Sequence, residues 1–225
     1  MSTIITLSNQ IQDPVVPPGT GFEFMVLDAA RGECVGIDLD TGAFVRGHWP
    51  ESSAEAPALR PYRSARAVVA QDDAPVDPSR PEASAFAGPP EPGGRVAHRR
   101  ARSYLEALMA PTRVPLLGFL GPSIRFWQMS GTHPSLSLLR PTQGPQLLVE
   151  NEIVRVRFEW DGLGHSLPVS NDWVAAAALA SGSLRLSGEV LARVLGYQPR
   201  YLLIALTHPQ DGYCHKAVGA LLPKP

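Results

Sequence analysis

The stretch "LTHPQDGYCHKAVG", residues 206–219, places His208, Cys214 and His215 within eight positions, the densest grouping of reactive side chains in the chain. Imidazole and thiolate are ordinary zinc ligands, and a Cys–His pair is also the arrangement that activates a thiol nucleophile. Either chemistry requires the groups to converge. A two-residue Asp211-Gly212 turn suits the twist of paired strands and sets His208 opposite His215 on one face. A four-residue Pro-Gln-Asp-Gly loop instead sets His208 beside Tyr213 and His215 beside Leu206. In both registers Cys214 and His215 are successive strand residues on opposite faces, so they cannot share a metal or form an ion pair without a bulge. His208 and His215 remain as candidate metal ligands, two where zinc takes three or four. The stretch reads chiefly as a C-terminal hairpin closing a sheet, and no cofactor is implied.

In "IDLDTGAFV", residues 37–45, an apolar approach leads into Asp40-Thr41-Gly42 followed by the small Ala43. This resembles the signature of aspartic peptidases of the retroviral type, with Leu116-Leu117-Gly118 similar to the later apolar-apolar-glycine element of that family. The resemblance implies Asp40 as a catalytic carboxylate. It also implies a homodimer, because the chemistry needs a second aspartate about 3 Å away sharing one proton. Asp38 and Phe44 depart from the family pattern. A hairpin turn built on Asp-x-Gly explains the same residues without a partner chain.

"SGEVLARVLGYQPRYLLIAL", residues 187–206, resembles the first part of a helix-turn-helix, which implies a recognition helix over 199–206 with Arg200 and Tyr201 as its polar readers. A helix apolar all round cannot read base edges, and Tyr, Leu and Ile favour a buried strand. Arg95, Arg99, Arg100, Arg102 and Arg113, with His98 among them and only Glu106 opposed, form the strongest electrostatic patch. Such a patch can contact phosphate, RNA or an acidic protein surface, or be a solvated helix face. His48, His133 and His165 stand singly at turn-like positions. Asp161 and Ser166 lie near His165, but no G-x-S-x-G elbow accompanies them.

These residues must be held by recognisable elements. Residues 1–49 form an N-terminal unit whose "FEFMVLD", "CVGIDLD" and "AFVRGHW" predict a β-meander, with Val35, Ile37 and Leu39 alternating against Gly36, Asp38 and Asp40. One face is expected buried and the other wet. Residues 50–97 hold nine prolines in 48 positions and read as a Pro/Ala-rich linker or extended loop. Deleting 52–94 is expected to leave the fold intact. Residues 98–225 read as an α+β body: a helix striped by Ala101, Tyr104, Leu105, Leu108 and Met109, then short strands, of which "IVRVRFEW" alternates most clearly. Two further short helices follow, "SNDWVAAAALASG" and "SGEVLARVLGY", and then the hairpin. The fold class is α+β, an antiparallel sheet or partly open barrel with a few short helices, in which 1–49 and 98–225 pack as one domain.

With 225 residues, 44% hydrophobic and 18% charged, the chain can bury a sizeable core without disulfides. A net charge of −1 supplies no general field toward nucleic acid or anionic membranes. Eighteen of the 20 basic residues are Arg, a skew expected of a GC-rich bacterial genome. The two cysteines lie far apart, "MSTIITLSNQ" lacks the pattern of a secretory signal, and the apolar runs are too short to span a bilayer. The expectation is a cytoplasmic, non-enzymatic protein acting through protein–protein contacts. The Pro-rich stretch and the Arg-rich helix are its expected contact elements. A hydrolase around Asp40 or His208/His215, and nucleic-acid binding through Arg95–Arg113, are the alternatives.

Overall fold

The computed structural model describes residues 16–30, 32–50, 59–71, 79–129 and 134–225. His133 and the N-terminal decapeptide lie outside them. Strands β1 (Gly21–Ala30), β2 (Glu33–Asp38) and β3 (Phe44–His48) form the antiparallel meander expected from their β-branched and aromatic residues. Burial of β2 is two-sided, however. Val35 and Ile37 face one core, while a Cβ at Gly36 would meet the Phe24 ring at 2.4 Å. Phe24, Val26, Trp49 and Phe86 make a separate cluster on that second face. Gly36 therefore marks a close approach of an aromatic ring to backbone, not a wet surface.

The stretch read as a linker supplies three strands to the same sheet: β4 (Arg63–Val68), β5 (Ala83–Ala85) and β6 (Glu91–Arg95). The order is β5-β3-β2-β1-β4-β6, parallel only between β3 and β5. Proline-rich composition concealed these strands because β5 and β6 are short edges, where a proline with no N–H to donate is tolerated. Strand β4 instead pairs directly with β1 and buries Ala65 and Ala67. Residues 51–58 and 72–78 of the stretch lie outside the described residues.

Helix α1 (His98–Ala107) buries Ala101 and Leu105 against this sheet. Beyond it come β7 (Ser123–Arg125), β8 (Leu136–Leu139), β9 (Gln146–Glu150), β10 (Ile153–Trp160), β11 (Leu163–Pro168), α2 (Asp172–Ala180), β12 (Arg185–Leu186), α3 (Gly188–Leu195), β13 (Tyr201–Leu206) and β14 (Tyr213–Leu222). They build two four-stranded sheets, β11-β10-β9-β12 and β7-β14-β13-β8. On β10, Val154, Val156, Phe158 and Trp160 are buried, as the alternation predicts. Asn171 caps α2 by accepting the Val174 N–H at 3.0 Å, and left-handed Gly196 ends α3.

The β7-β14-β13-β8 sheet is the middle layer of the molecule. Tyr201 and Leu203 join Met25, Ile37 and Leu105 in one core. Leu202, Ile204 and Leu206 join Val156, Leu167 and Leu191 in another. Burial on both faces explains why "YLLIAL" is continuously apolar. It also decides the helix-turn-helix resemblance, since α3 is followed by a central strand and no recognition helix forms. Each fully buried leucine there contributes on the order of 2–3 kcal/mol. The described residues thus form mainly antiparallel sheet, including a half-barrel sheet, with three short helices. Among them no helix is long and apolar enough to cross a membrane.

Candidate functional site

The hairpin turn has the two-residue geometry: Gln210 and Tyr213 exchange backbone hydrogen bonds at 2.8 and 2.9 Å, and Asp211 and Gly212 both have positive φ. His208 nevertheless does not oppose His215. The Thr207 N–H donates to the His215 carbonyl at 2.9 Å, and Leu206 pairs with Lys216. His208 and Pro209 therefore share the space opposite Cys214 as a bulge, which proline favours because it cannot donate to the ladder. Thr207 Oγ1 completes the bulge by accepting the His215 N–H at 3.1 Å. Cys214 is buried in the core and half-buried His215 follows it on the other face. No group of three His, Cys, Asp or Glu suited to a metal occurs among the described residues.

The bulge carries exposed His208 to a polar seam between the two halves of the fold. Arg80 Nη1 lies 2.8 Å from His208 Nε2, and Arg80 Nη2 donates to the Leu206 carbonyl at 3.4 Å. Arg80 also pairs with Glu33 at 3.5 Å. Buried Arg46 on β3 sits 3.4 Å from Glu33 and 3.5 Å from Glu82, and Ser135 Oγ donates to Glu82. Charges this far from water persist only when paired, so the network ties residues 80–82 to the hairpin.

Asp28, on β1 past a bulge, lines the same seam, a cavity of about 330 Å³. Its Oδ1 accepts from Asn171 Nδ2 at 2.7 Å. Burial pushes this carboxyl up to about 7, against the opposing pull of the Asn171 and Ala29 hydrogen bonds. The neighbouring Cys34 thiol is pushed up to about 12, again by burial, which leaves it protonated and unreactive at neutral pH. Nothing in the spacing of Asp28, Arg46 and the Arg80–Glu82 segment announced this assembly, because the three come from separate parts of the chain.

Asp40 lies exposed in the β2–β3 turn. The residue that organises the turn is buried Asp38, whose Oδ1 accepts the N–H groups of Asp40 at 2.7 Å and Thr41 at 2.8 Å. Of the remaining single residues, His48 is exposed at the end of β3. His165 is stacked on Phe158, with ring centroids 5.1 Å apart.

The arginine cluster disperses in three dimensions. Arg95 contacts His98 at 3.0 Å, and exposed Arg99 lies on the outer face of α1. Arg100 anchors α1 to the β2–β3 turn by donating to the Leu39 carbonyl at 2.8 Å. Arg113 donates its backbone N–H to Asp161 at 2.6 Å and lines a separate cavity. Arg102 pairs with Glu106 at 2.7 Å and joins residues from elsewhere in the chain, Arg140, Arg200 and Lys224, around a cleft of about 400 Å³. Thr142 and Gln143 add polar groups, and among the described residues no carboxylate lines the cleft. Arg140 lies over the Tyr201 ring, 5.2 Å from its centroid, and donates to Tyr201 Oη at 3.3 Å. Arg140 and Lys224 escaped the sequence reading because neither has a charged neighbour along the chain. No protein-family model and no curated protein matches this chain.

Proposed function

We propose that this chain is a non-enzymatic interaction protein that captures an acidic segment of a partner protein in the cleft lined by Arg102, Arg140, Arg200 and Lys224. One observation carries the reading: four cations from separate segments converge on a cleft that has no carboxylate in its lining among the described residues. Glu106 offsets Arg102, but among the described residues no ion pair engages Arg140, Arg200 or Lys224. The planar guanidinium of Arg140, oriented by Tyr201, suits bidentate carboxylate recognition. A protein segment is favoured over nucleic acid because Tyr201, the aromatic ring in the lining, is only 4% exposed and offers no stacking platform. The net charge of −1 points the same way. The reading goes with a cytoplasmic setting, in which two buried free thiols stay reduced.

The test is fluorescence anisotropy with a labelled Asp/Glu-rich decapeptide, competed by a single-stranded oligonucleotide of equal charge. Expected is saturable peptide binding that weakens with salt and falls about tenfold, ~1.4 kcal/mol, in Arg140→Glu and in Arg200→Glu. Absence of peptide binding, or an oligonucleotide that binds more tightly than the peptide, overturns the proposal.

A further inference from the structure

A second cavity, of about 490 Å³, lies on the opposite side of the hairpin sheet from the seam's ion network and is lined by the 113–122 loop, β11 and Lys216 of β14. It is predominantly apolar, with Leu163 and Phe119 in its wall, and Lys216, His165, Asp161 and Ser166 add polar side chains to its lining. Arg113 stands at the same wall, with its backbone N–H held by Asp161. Lys216 is only 5% exposed. Its Nζ donates to the Phe119 carbonyl at 2.7 Å and lies 4.0 Å from the Phe119 ring centroid, and no carboxylate pairs with it among the described residues.

His165 supplies the second half of the arrangement. Its Nε2 is buried and has no hydrogen-bond partner among the described residues, while the ring hydrogen-bonds to the Trp160 backbone. A carbonyl can only accept, so the ring proton sits on Nδ1 and Nε2 keeps its lone pair. Leaving a buried nitrogen unsatisfied is unfavourable, and such a group is expected where a ligand or a reacting proton completes the site.

We propose that this cavity binds a small apolar aldehyde or ketone and that Lys216 Nζ condenses with it to an imine. The amine lone pair attacks the carbonyl carbon, and a proton moves from nitrogen to oxygen to give a carbinolamine. The C–O bond then breaks, the hydroxyl leaves as water with the second amine proton, and a C=N bond remains. His165 Nε2 accepts the proton from nitrogen and returns it to the departing oxygen. The balance is amine plus carbonyl to imine plus water, with no change of oxidation state. Burial supports the chemistry by bringing the Lys216 amine down to about 8, so that a substantial neutral fraction exists near neutral pH. Burial and the Lys216 charge hold His165 below its ordinary value, keeping it in the basic form.

The chain offers its own control, since Lys216 and Lys224 are its only lysines. The full chain is incubated with benzaldehyde and sodium cyanoborohydride, and the reduced adduct is located by peptide mass mapping. Expected is saturable labelling of Lys216 about tenfold or more faster than Lys224, rising with pH through 8. His165→Phe, which keeps the stacking on Phe158, slows Lys216 labelling and leaves Lys224 unchanged. Labelling of both lysines at equal rates, or unsaturable labelling, overturns the proposal. Because this readout uses wild-type protein and a neutral probe, it is independent of acidic-peptide binding in the basic cleft.

Discussion

Arg80 Nη1 and His208 Nε2 lie 2.8 Å apart although 128 residues separate them in sequence. A guanidinium has donors only, so His208 accepts at Nε2 and carries its proton at Nδ1. The nitrogen that a zinc reading would assign to metal is thereby occupied by an arginine. The contact instead joins the segment before β5 to the C-terminal hairpin, and the Pro209 bulge is what makes it reachable.

Arg80→Ala is expected to cost about 1–3 kcal/mol, because it removes one of the two guanidinium partners that Glu33 and the Leu206 carbonyl have in the seam, leaving Arg46 as the other. His208→Ala, at an exposed residue, costs about 1 kcal/mol or less, and His208→Gln less still because Oε1 can accept the same bond. Urea denaturation reads all three. Zinc added at equimolar concentration leaves the wild-type midpoint unchanged, and a rise would return His208 to a metal role.

The parts of the fold legible in sequence were those governed by local rules. The stripe of Ala101, Leu105 and Leu108, the alternation of Val154, Val156 and Phe158, the short helix in "SNDWVAAAALASG" and the Asp211-Gly212 turn each depend on neighbours a few residues away. What failed depended on distant partners. Gly36 read as the polar face of a half-buried strand because Phe24 covers it from another strand. The β4–β6 strands were hidden by proline. The basic cleft required Arg140 and Lys224 to meet across 84 positions, and the seam required Arg46 and Arg80 to meet carboxylates on other elements. Even the hairpin was legible only as far as its turn, since the bulge at His208–Pro209 changes the register beyond it.

Gly47→Ala tests the packing of β3 against Phe86, which directly follows β5 inside the Pro-rich stretch. A Cβ there would come within 1.9 Å of the Phe86 ring. The ring sits at 2% exposure among Phe22 and Phe24 and has little room to move. Overpacking of this kind costs about 1–3 kcal/mol. Gly47→Ala combined with Phe86→Leu should recover part of the loss, which a thermal-melt double-mutant cycle would reveal as coupling.

Deletion of residues 79–95 should unfold the β5-β3-β2-β1-β4-β6 sheet, because it removes both edge strands together with Arg80 and Glu82 of the seam. The observable is loss of cooperative unfolding by circular dichroism. A deletion variant melting cooperatively within a few degrees of the full chain would show that 79–95 is an appendage.

Asp28 gives the clearest pH dependence. Its carboxyl ionises near 7 in the folded chain against 3.8 as the ordinary value, so between those limits the folded state holds a proton that the unfolded state has released. Stability from this group is therefore fully present below about pH 4 and is lost progressively as pH rises toward 7, by a few kcal/mol in all. Other carboxylates contribute their own slopes, so the measurement is a comparison with Asp28→Asn, which still offers an oxygen to Asn171 Nδ2 but cannot ionise. The two proteins should have similar stability at pH 4. At pH 8 the variant should be the more stable by urea denaturation, with the gap opening mainly between pH 5 and 7. A constant gap across that range would mean that Asp28 is not protonated in the folded seam.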